Sequence, residues 1–199
     1  FKSGADIHTL TAAEMFGVKP SDVTKEQRYR AKTINFGVLY GMNPHGLSQA
    51  TGMDYGESRA FIDRYFELRK GVADYIDKVK QQAHSDGYTE TIFGRRRPCP
   101  DVRSSNYVVR SAAERAAVNM PLQGTAADMM KLAMIKIAQT LPEGAQMILQ
   151  IHDELIVECS EEQVAEVAKV LRRDMLGVHD FTVPIEVNIS SGKSWGTLE

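Results

Sequence analysis

Apolar residues recur at two different spacings, and the change between them divides the chain into a helical part and a mixed part. In the helical part they repeat every three or four residues, as on one face of a helix. Thr24 stands where an N-cap is expected, and Gly17 and Gly87 stand where helices end. The pattern predicts helices over residues 6–16, 25–40 and 55–86, with Gly71 as a candidate interruption, and then a short hairpin over 88–98.

The mixed part alternates between helical segments and short apolar runs. Pro121 separates two of the helical segments, since proline lacks the donor that a helix interior needs. Two five-residue apolar runs flank three polar residues, a pattern typical of a β-hairpin. The predicted elements are helices at 106–118, 122–141 and 161–176, strands at 147–151 and 155–159, and a last strand at 181–189. This arrangement predicts an α+β fold with an antiparallel β-hairpin and a boundary near residue 105.

The composition is that of an ordinary globular protein. The 199 residues are 43% hydrophobic and 25% charged, which is enough apolar material for a packed core. The sequence contains no run of 18 apolar residues and therefore predicts no membrane-spanning helix. The start of the chain does not resemble a signal peptide. The two cysteines cannot form a disulfide framework, which indicates a reducing compartment. Because the chain starts at Phe1 and ends in a scar-like Leu198-Glu199, an excised fragment is expected.

The net charge of −2 conceals an uneven distribution along the chain. Residues 1–123 carry 18 Lys and Arg against 14 Asp and Glu, a net of +4. Residues 124–199 carry 6 against 12, a net of −6. The near-neutral total argues mildly against a nucleic-acid binder, but a basic half and an acidic half suggest different partners. Chance variation on two solvated surfaces is the alternative.

One helix carries cations and aromatic rings at intervals of four residues. Arg28, Lys32, Phe36 and Tyr40 advance about 40° per step and therefore share one helix face. Cations on a rigid helix suit a polyphosphate, and the rings suit a stacked base or sugar. The alternative is an amphipathic helix whose rings belong to the core. Gly37 and Gly41 weaken that alternative, because they cost helix stability and are explained by close approach of another body.

Two acidic residues occupy the tight turn of the predicted hairpin. The turn would expose His152, Asp153 and Glu154 at one edge of the sheet. Mg²⁺ is commonly held by one or two carboxylates together with substrate phosphates. The alternative is a simple polar turn, since Asp is a common turn residue. A zinc site is disfavoured because His152 and Cys159 lack ligand-spaced partners.

Two further polar groups fit contacts with nucleic acid. Arg115, Asn119 and Gln123 are again spaced by four, and their donors suit the acceptors of a minor groove. Capping and interhelix hydrogen bonds around Pro121 are the alternative for this group. Three consecutive arginines at 95–97 suit a phosphate backbone, and the alternative is a solvated charged loop, which is also common.

Four segments together resemble bacterial family A DNA polymerases of the DNA polymerase I type, and the resemblance covers nearly the whole chain. Arg28-x3-Lys32-x7-Tyr40-Gly41 is similar to the family's motif B, and His152-Asp153-Glu154 is similar to motif C. The stretches 119–128 and 6–9 are similar to two other characteristic segments. Their order and spacing are those of the family. The resemblance implies helical fingers over residues 1–105 and the C-terminal part of a palm over 106–199.

The resemblance also implies a role for each matching residue. Lys32, Asp153 and Glu154 would be catalytic, with Asp153 as a metal ligand. The residues implied to bind the incoming nucleotide are His8, Arg28, Lys32, Phe36 and Tyr40, and those implied to contact DNA are Tyr40, Arg115, Asn119, Gln123 and His152.

The same resemblance implies the partners of the parent protein. They are primer–template DNA, a dNTP, two Mg²⁺ ions in the complete enzyme and the N-terminal portion of the same polypeptide. No membrane partner is implied, and the location would be the bacterial cytoplasm, with the nucleoid. Because the family's other metal-binding aspartate precedes the segment at 6–9, the isolated chain is predicted to be inactive.

Two other functions compete with a DNA polymerase. A single-subunit RNA polymerase shares motif B and the His-Asp pair. Glu154 after Asp153, and the stretch at 119–128, favour the DNA enzyme. The other competitor is a nucleic-acid-binding module that kept the fold without catalysis.

Overall fold

The computed structural model describes residues 4–198, which form two compact units. The first unit is Phe1–Pro121 and the second is Leu122–Glu199. The boundary between the units differs from the predicted division near residue 105, and the assignment of the parts to fingers and palm stays a prediction. The predictions about Phe1 and Glu199 concern positions outside the described residues.

Helices dominate the first unit. Short 3₁₀ turns at Pro20–Asp22 and Pro100–Arg103 join its regular elements. These elements are α1 (Ile7–Phe16), α2 (Lys25–Leu39), α3 (Pro44–Thr51), α4 (Tyr55–Leu68), α5 (Lys70–Asp86), β1 (Tyr88–Glu90), β2 (Arg96–Pro98) and the start of α6 (Tyr107–Thr140).

Side-chain caps explain where several of these helices begin. Thr24 and Gln27 form a capping box at the start of α2, and Asp54 and Glu57 form another at the start of α4. Each box satisfies backbone N–H groups that the helix itself leaves without acceptors. Asp6 caps α1 by accepting from the backbone N–H of His8. The predicted N-cap role of Thr24 is therefore confirmed.

The long helix predicted over residues 55–86 is two helices, and the break lies at Arg69 rather than at Gly71. Arg69 leaves helical geometry, with φ −122° and ψ 51°. Its guanidinium stacks on the Tyr65 ring at 4.1 Å from the centroid and donates to Thr11 Oγ1. A hydrogen bond to the distant Thr11 and stacking on the nearby Tyr65 thus fix the break, whereas Gly71 lies inside the first turn of α5.

Two clusters of buried side chains hold the first unit together. One joins α2, α3 and α4 through Ile34, Val38, Leu47, Ile62 and Tyr65. The other joins α5 to the segment after β2 and to α6 through Ala83, Cys99, Val102 and Ala117. The apolar face of α2 is thereby fixed against its neighbours, and its opposite face is left for other contacts.

Pro121 lies inside a helix, so the prediction of two separate helices around it is wrong. A proline in a helix interior removes one hydrogen bond and costs about 3 kcal/mol. Buried side chains occur on both sides of it, among them Ala117, Met120, Met130 and Ile137. Burial of these side chains offsets the cost, which explains why α6 runs on to Thr140.

The second unit combines the rest of α6 with a two-stranded sheet and one further helix. Strands β3 (Gln146–Ile151) and β4 (Glu154–Glu158) pair antiparallel, as predicted. A 3₁₀ turn at Glu161–Gln163 leads into α7 (Val164–Leu176), and another lies at Trp195–Thr197. The hydroxyl of Thr140 donates to the buried Asp174 carboxylate and so ties the end of α6 to α7.

The last predicted strand does not form. Residues 181–189 alternate between more and less exposed side chains, as the sequence suggested, but among residues 4–198 they pair with no strand. Alternation specifies which side chains face inward, whereas a strand also requires a neighbour that exchanges backbone hydrogen bonds. Helices with small antiparallel sheets confirm the α+β class. No helix within the described part of the chain has the length and apolar character needed to span a membrane.

Candidate functional site

Helix α2 presents its predicted cations and its first ring to solvent. Arg28, Lys32 and Phe36 are exposed, and Tyr40 is half-buried at the residue that ends the helix. The Phe36 and Tyr40 rings stack, with centroids 6.1 Å apart. The opposite face is buried through Ala31, Ile34, Asn35 and Val38. The four predicted residues therefore form a continuous surface, named here the α2 surface.

His8 extends the α2 surface from the neighbouring helix α1. Its ring centroid lies 5.9 Å from that of Phe36. Burial lowers the pKa of His8, while nearby Asp6 raises it and Arg28 and Lys32 lower it further. Because the net effect is a pKa below the ordinary value, His8 is predominantly neutral at pH 7.

One cation of the α2 surface is already paired within the protein. The Arg28 Nε donates to Asp6 Oδ2 at 2.6 Å, and this hydrogen bond holds the pKa of Asp6 well below its usual range. In the part of the chain that the structure describes, no carboxylate pairs with Lys32. The pairing of Asp6 with Arg28 could not be predicted from the sequence, because 22 residues separate them.

The two glycines of this segment are explained by close contacts inside the protein. Gly41 has φ +84°, and a Cβ there would lie 2.8 Å from Cγ of Arg115. A Cβ on Gly37 would overlap the side chain of Met42. The close approach expected at these glycines is therefore made by side chains of the protein itself, Arg115 and Met42. The contact at Gly41 also brings Arg115, predicted to bind DNA, to the end of α2.

A cavity opens beside Tyr40 and Arg115. Its volume is about 440 Å³, and its walls come from the end of α2 and from α5 and α6 within the first unit. Arg115 remains exposed and donates to Ser111 Oγ at 2.8 Å. The cavity thus adjoins two residues that the sequence analysis assigned to DNA contacts.

The acidic turn lies in the second unit, between β3 and β4. Ile151 and Glu154 pair across the strands, which leaves His152 and Asp153 as a two-residue turn. His152 has φ +51°, a conformation uncommon for a residue other than glycine. The Gln150 side chain donates to the His152 carbonyl at 2.7 Å and holds the turn. His152, Asp153 and Glu154 are all exposed, as predicted.

The donor set of this turn is compatible with Mg²⁺. Asp153 and Glu154 supply adjacent exposed carboxylates, and neither forms an ion pair within residues 4–198. The same residues contain no group of three or more His, Cys, Asp or Glu side chains arranged around one metal. Mg²⁺ normally keeps several waters and takes one or two carboxylates plus phosphate oxygens. The turn therefore offers donors of the kind that part of a magnesium shell requires.

The remaining predicted residues differ in their surroundings. Asn119 is half-buried, and its Oδ1 has no hydrogen-bond partner among residues 4–198, whereas Gln123 is exposed. Of the three arginines at 95–97, Arg96 pairs with Glu90 and stacks on Tyr88. Arg96 is thus engaged within its own hairpin. The other roles assigned from the sequence stay predictions.

Comparison with known proteins identifies the family. The model of DNA polymerase family A matches residues 1–197. DNA polymerase I of Thermus aquaticus is 50% identical over 196 residues, which cover 98% of this chain and 24% of that protein. DNA polymerase I of Streptococcus pneumoniae (strain ATCC BAA-334 / TIGR4) is 42% identical over 199 residues, or 98% of this chain and 23% of that protein.

A solved structure matches the fold as well as the sequence. The POL domain of Pol1 from M. smegmatis, in complex with DNA primer–template and dNTP, has a TM-score of 0.92 and 40% identity. The match covers 99% of this chain and 35% of that chain. This chain spans about a quarter of the length of the polymerases from Thermus and Streptococcus. By the family model and by these relatives, the chain belongs to DNA polymerase family A.

Proposed function

We propose that this chain supplies the nucleotide-binding helix and the acidic turn of a template-directed DNA polymerase. The observation that carries the proposal is the α2 surface, where two exposed cations are followed by two stacked rings. A deoxynucleoside triphosphate has the same order of features, with phosphates at one end and a base at the other. Relatives named DNA polymerase I favour the DNA enzyme over an RNA polymerase.

In this proposal the α2 surface binds the incoming nucleotide. Arg28 and Lys32 contact the phosphates, and His8 assists them. Phe36 packs on the base and sugar, and Tyr40 contacts the template. During transfer, the primer 3′-oxygen forms a bond to the α-phosphorus while the bond to the leaving pyrophosphate breaks. Lys32 and Arg28 stabilise the charge that accumulates on the pyrophosphate, which is the usual role of fixed cations in phosphoryl transfer.

The acidic turn is proposed to hold magnesium. Asp153 is the ligand, Glu154 lies beside it, and the complete enzyme would hold two ions. Bound Mg²⁺ supplies Lewis-acid stabilisation of the attacking and leaving oxygens. The exposed position of both carboxylates leaves room for the waters and phosphate oxygens that complete such a shell.

The remaining assignments concern DNA and the rest of the enzyme. Arg115, Asn119, Gln123 and His152 are proposed to contact primer–template DNA. Because the chain spans about a quarter of its relatives' length, synthesis is proposed to need polypeptide corresponding to the remainder. The chain alone is expected to be inactive, and the complete enzyme to act on DNA in the bacterial cytoplasm.

A chimeric enzyme tests this function. Residues 1–197 replace the matching segment of the Thermus aquaticus DNA polymerase I, and primer extension is measured with dNTPs and Mg²⁺. The expected result is extension directed by the template sequence. A folded chimera that binds primer–template but adds no nucleotide would contradict the proposal.

A further inference from the structure

Four polar side chains from three places in the sequence form a series of hydrogen bonds that ends at His8. Nη2 of Arg69 lies 3.0 Å from Thr11 Oγ1. Thr11 Oγ1 lies 3.1 Å from Asn35 Oδ1. Nδ2 of Asn35 lies 3.0 Å from Nδ1 of His8. All four residues belong to the first unit.

Arg69, the first residue of this series of hydrogen bonds, determines which atom donates and which accepts in each bond. A guanidinium can only donate hydrogen bonds, so Thr11 Oγ1 accepts from Arg69. The single hydroxyl hydrogen of Thr11 is then donated to the Asn35 carbonyl oxygen. This orients the Asn35 amide so that its NH₂ group faces the imidazole. Nδ1 of His8 must accept and therefore carries no proton.

The two middle residues of the series, Thr11 and Asn35, are shielded from water that could replace their hydrogen bonds. Thr11 is fully buried, and Asn35 is 6% exposed. Arg69 is fixed by its stacking on Tyr65 and by Glu14, whose Oε2 lies 4.0 Å from Nη1. A buried polar group without a partner costs about 1–3 kcal/mol, so the hydrogen bonds of the buried Thr11 and Asn35 side chains are strongly preferred over unpaired groups.

We propose that Arg69, Thr11 and Asn35 are positioning residues that hold His8 in the neutral form with its proton on Nε2. This inference extends the proposed function, in which His8 meets a phosphate group. An Nε2–H can donate to a phosphate oxygen without adding a charge to a surface that already contains Arg28 and Lys32. In this arrangement the buried Asn35 of α2 sets the tautomer of His8.

The charges around His8 are compatible with this form. Asp6 favours protonation of the ring, whereas Arg28 and Lys32 oppose it. Asn35 adds a donor against Nδ1, and a donor there disfavours the imidazolium, which has no free acceptor. The neutral form is thus favoured by burial, by the two cations and by the amide.

Nitrogen NMR of the chain labelled with ¹⁵N-histidine tests the proposal directly. The five histidines are separated by assigning the His8 signals through their loss in His8→Gln. At pH 7 the expected His8 spectrum shows an unprotonated Nδ1 and a protonated Nε2. A protonated Nδ1 in the wild-type chain would overturn the proposal.

Two further variants test whether the series of hydrogen bonds sets this form. In Thr11→Val the link to Arg69 is lost, and His8 is expected to populate both neutral tautomers. Thr11→Ser keeps the hydroxyl and should restore the wild-type spectrum. In Asn35→Asp a carboxylate faces Nδ1, so the pKa of His8 should rise and both nitrogens should be protonated at pH 7. Wild-type spectra in both Thr11→Val and Asn35→Asp would overturn the positioning role.

A titration separates this proposal from the proposed function. Adding dATP to the labelled wild-type chain should shift the Nε2 signal of His8 and leave Nδ1 unprotonated. An unprotonated Nδ1 with no shift supports the tautomer and contradicts only the phosphate contact. A shift accompanied by protonation of Nδ1 contradicts the tautomer and leaves the phosphate contact standing.

Discussion

Asp6 Oδ2 lies 2.6 Å from Nε of Arg28. The acidic N-cap of α1 is therefore already paired with a cation that is proposed to bind phosphate. Asp6 also caps α1 and accepts from the hydroxyl of Thr9. The carboxylate therefore has a structural partner on its own helix as well as the arginine on α2. An incoming triphosphate must share or displace it to contact Arg28 fully.

Removing the negative charge of Asp6 is expected to strengthen nucleotide binding. Asp6→Asn keeps an N-cap of equal quality, so α1 should remain folded. Because the pair is largely exposed, its loss changes binding energies only slightly, by less than about 1 kcal/mol. The dissociation constant of a dNTP, measured by titration calorimetry, should fall about two- to fivefold.

The matched control for this change is Asp22→Asn. Asp22 is also exposed and belongs to the 3₁₀ turn before α2, but among residues 4–198 its carboxylate accepts only from the Ser21 hydroxyl. It should leave the dissociation constant unchanged. Weaker binding in Asp6→Asn would mean that the carboxylate orients Arg28 instead of competing with the nucleotide.

Lys32 is expected to contribute more to nucleotide affinity than any other exposed cation on α2 except Arg28. Lys32→Ala removes a charge that no internal carboxylate neutralises among the described residues. Hydrogen bonds to charged groups contribute about 1.5–3 kcal/mol, so the dNTP dissociation constant should rise roughly 10- to 100-fold. The same calorimetric titration measures this change.

Arg30→Ala provides the comparison for Lys32. Arg30 lies two residues away on the same helix, about 200° around its axis, and pairs with Glu26 at 2.8 Å. It should change affinity less than twofold. Equal losses in the two variants would show that general positive charge, and not the α2 surface, attracts the nucleotide.

Asp174 is expected to make the stability of the second unit depend on pH. Hydrogen bonds from Arg173 and Thr140 lower the pKa of this buried carboxyl to about 2. A carboxyl has a pKa of about 3.9 when unfolded, so its stabilisation is complete above about pH 4 and is lost as the pH falls towards 2. Asp174→Ala should lower the unfolding free energy by about 1–3 kcal/mol at pH 7.

Urea unfolding at several pH values checks this prediction. The difference between the wild type and Asp174→Ala should shrink from pH 4 to pH 2. Asp180→Ala, an exposed carboxylate beyond α7, serves as the control and should change stability little at any pH. A difference that stays constant down to pH 2 would show that the charge of Asp174 contributes nothing.

Local signals allowed much of this fold to be predicted from the sequence. The N-cap at Thr24 and the spacing of apolar residues predicted α2, and the polar turn at 152–154 predicted the β3–β4 hairpin. The break at Arg69 could not be predicted in this way, because it depends on a hydrogen bond to Thr11, which lies 58 residues away in the sequence. The continuation of α6 through Pro121 likewise depends on burial along both sides of the proline.

The candidate site shows the same limit. Arg28, Lys32, Phe36 and Tyr40 follow from a spacing of four on one helix. The bonds of Asn35 to Thr11 and His8 span 24 and 27 residues, and the bond of Arg69 to Thr11 spans 58. The spacing of apolar and polar residues along the sequence does not indicate such long-range hydrogen bonds. A buried asparagine on an otherwise apolar helix face was the available signal.

Primer extension by the chimeric enzyme tests whether Asp153 carries the metal-dependent step of DNA synthesis. Asp153→Asn preserves the size of the side chain and removes its charge. Glu158→Gln, at the far end of β4, is the matched control. We predict at least a 100-fold lower extension rate for Asp153→Asn, with primer–template binding retained and the control unaffected. An extension rate within a few-fold of that of the unmodified chimera would rule out this role for Asp153.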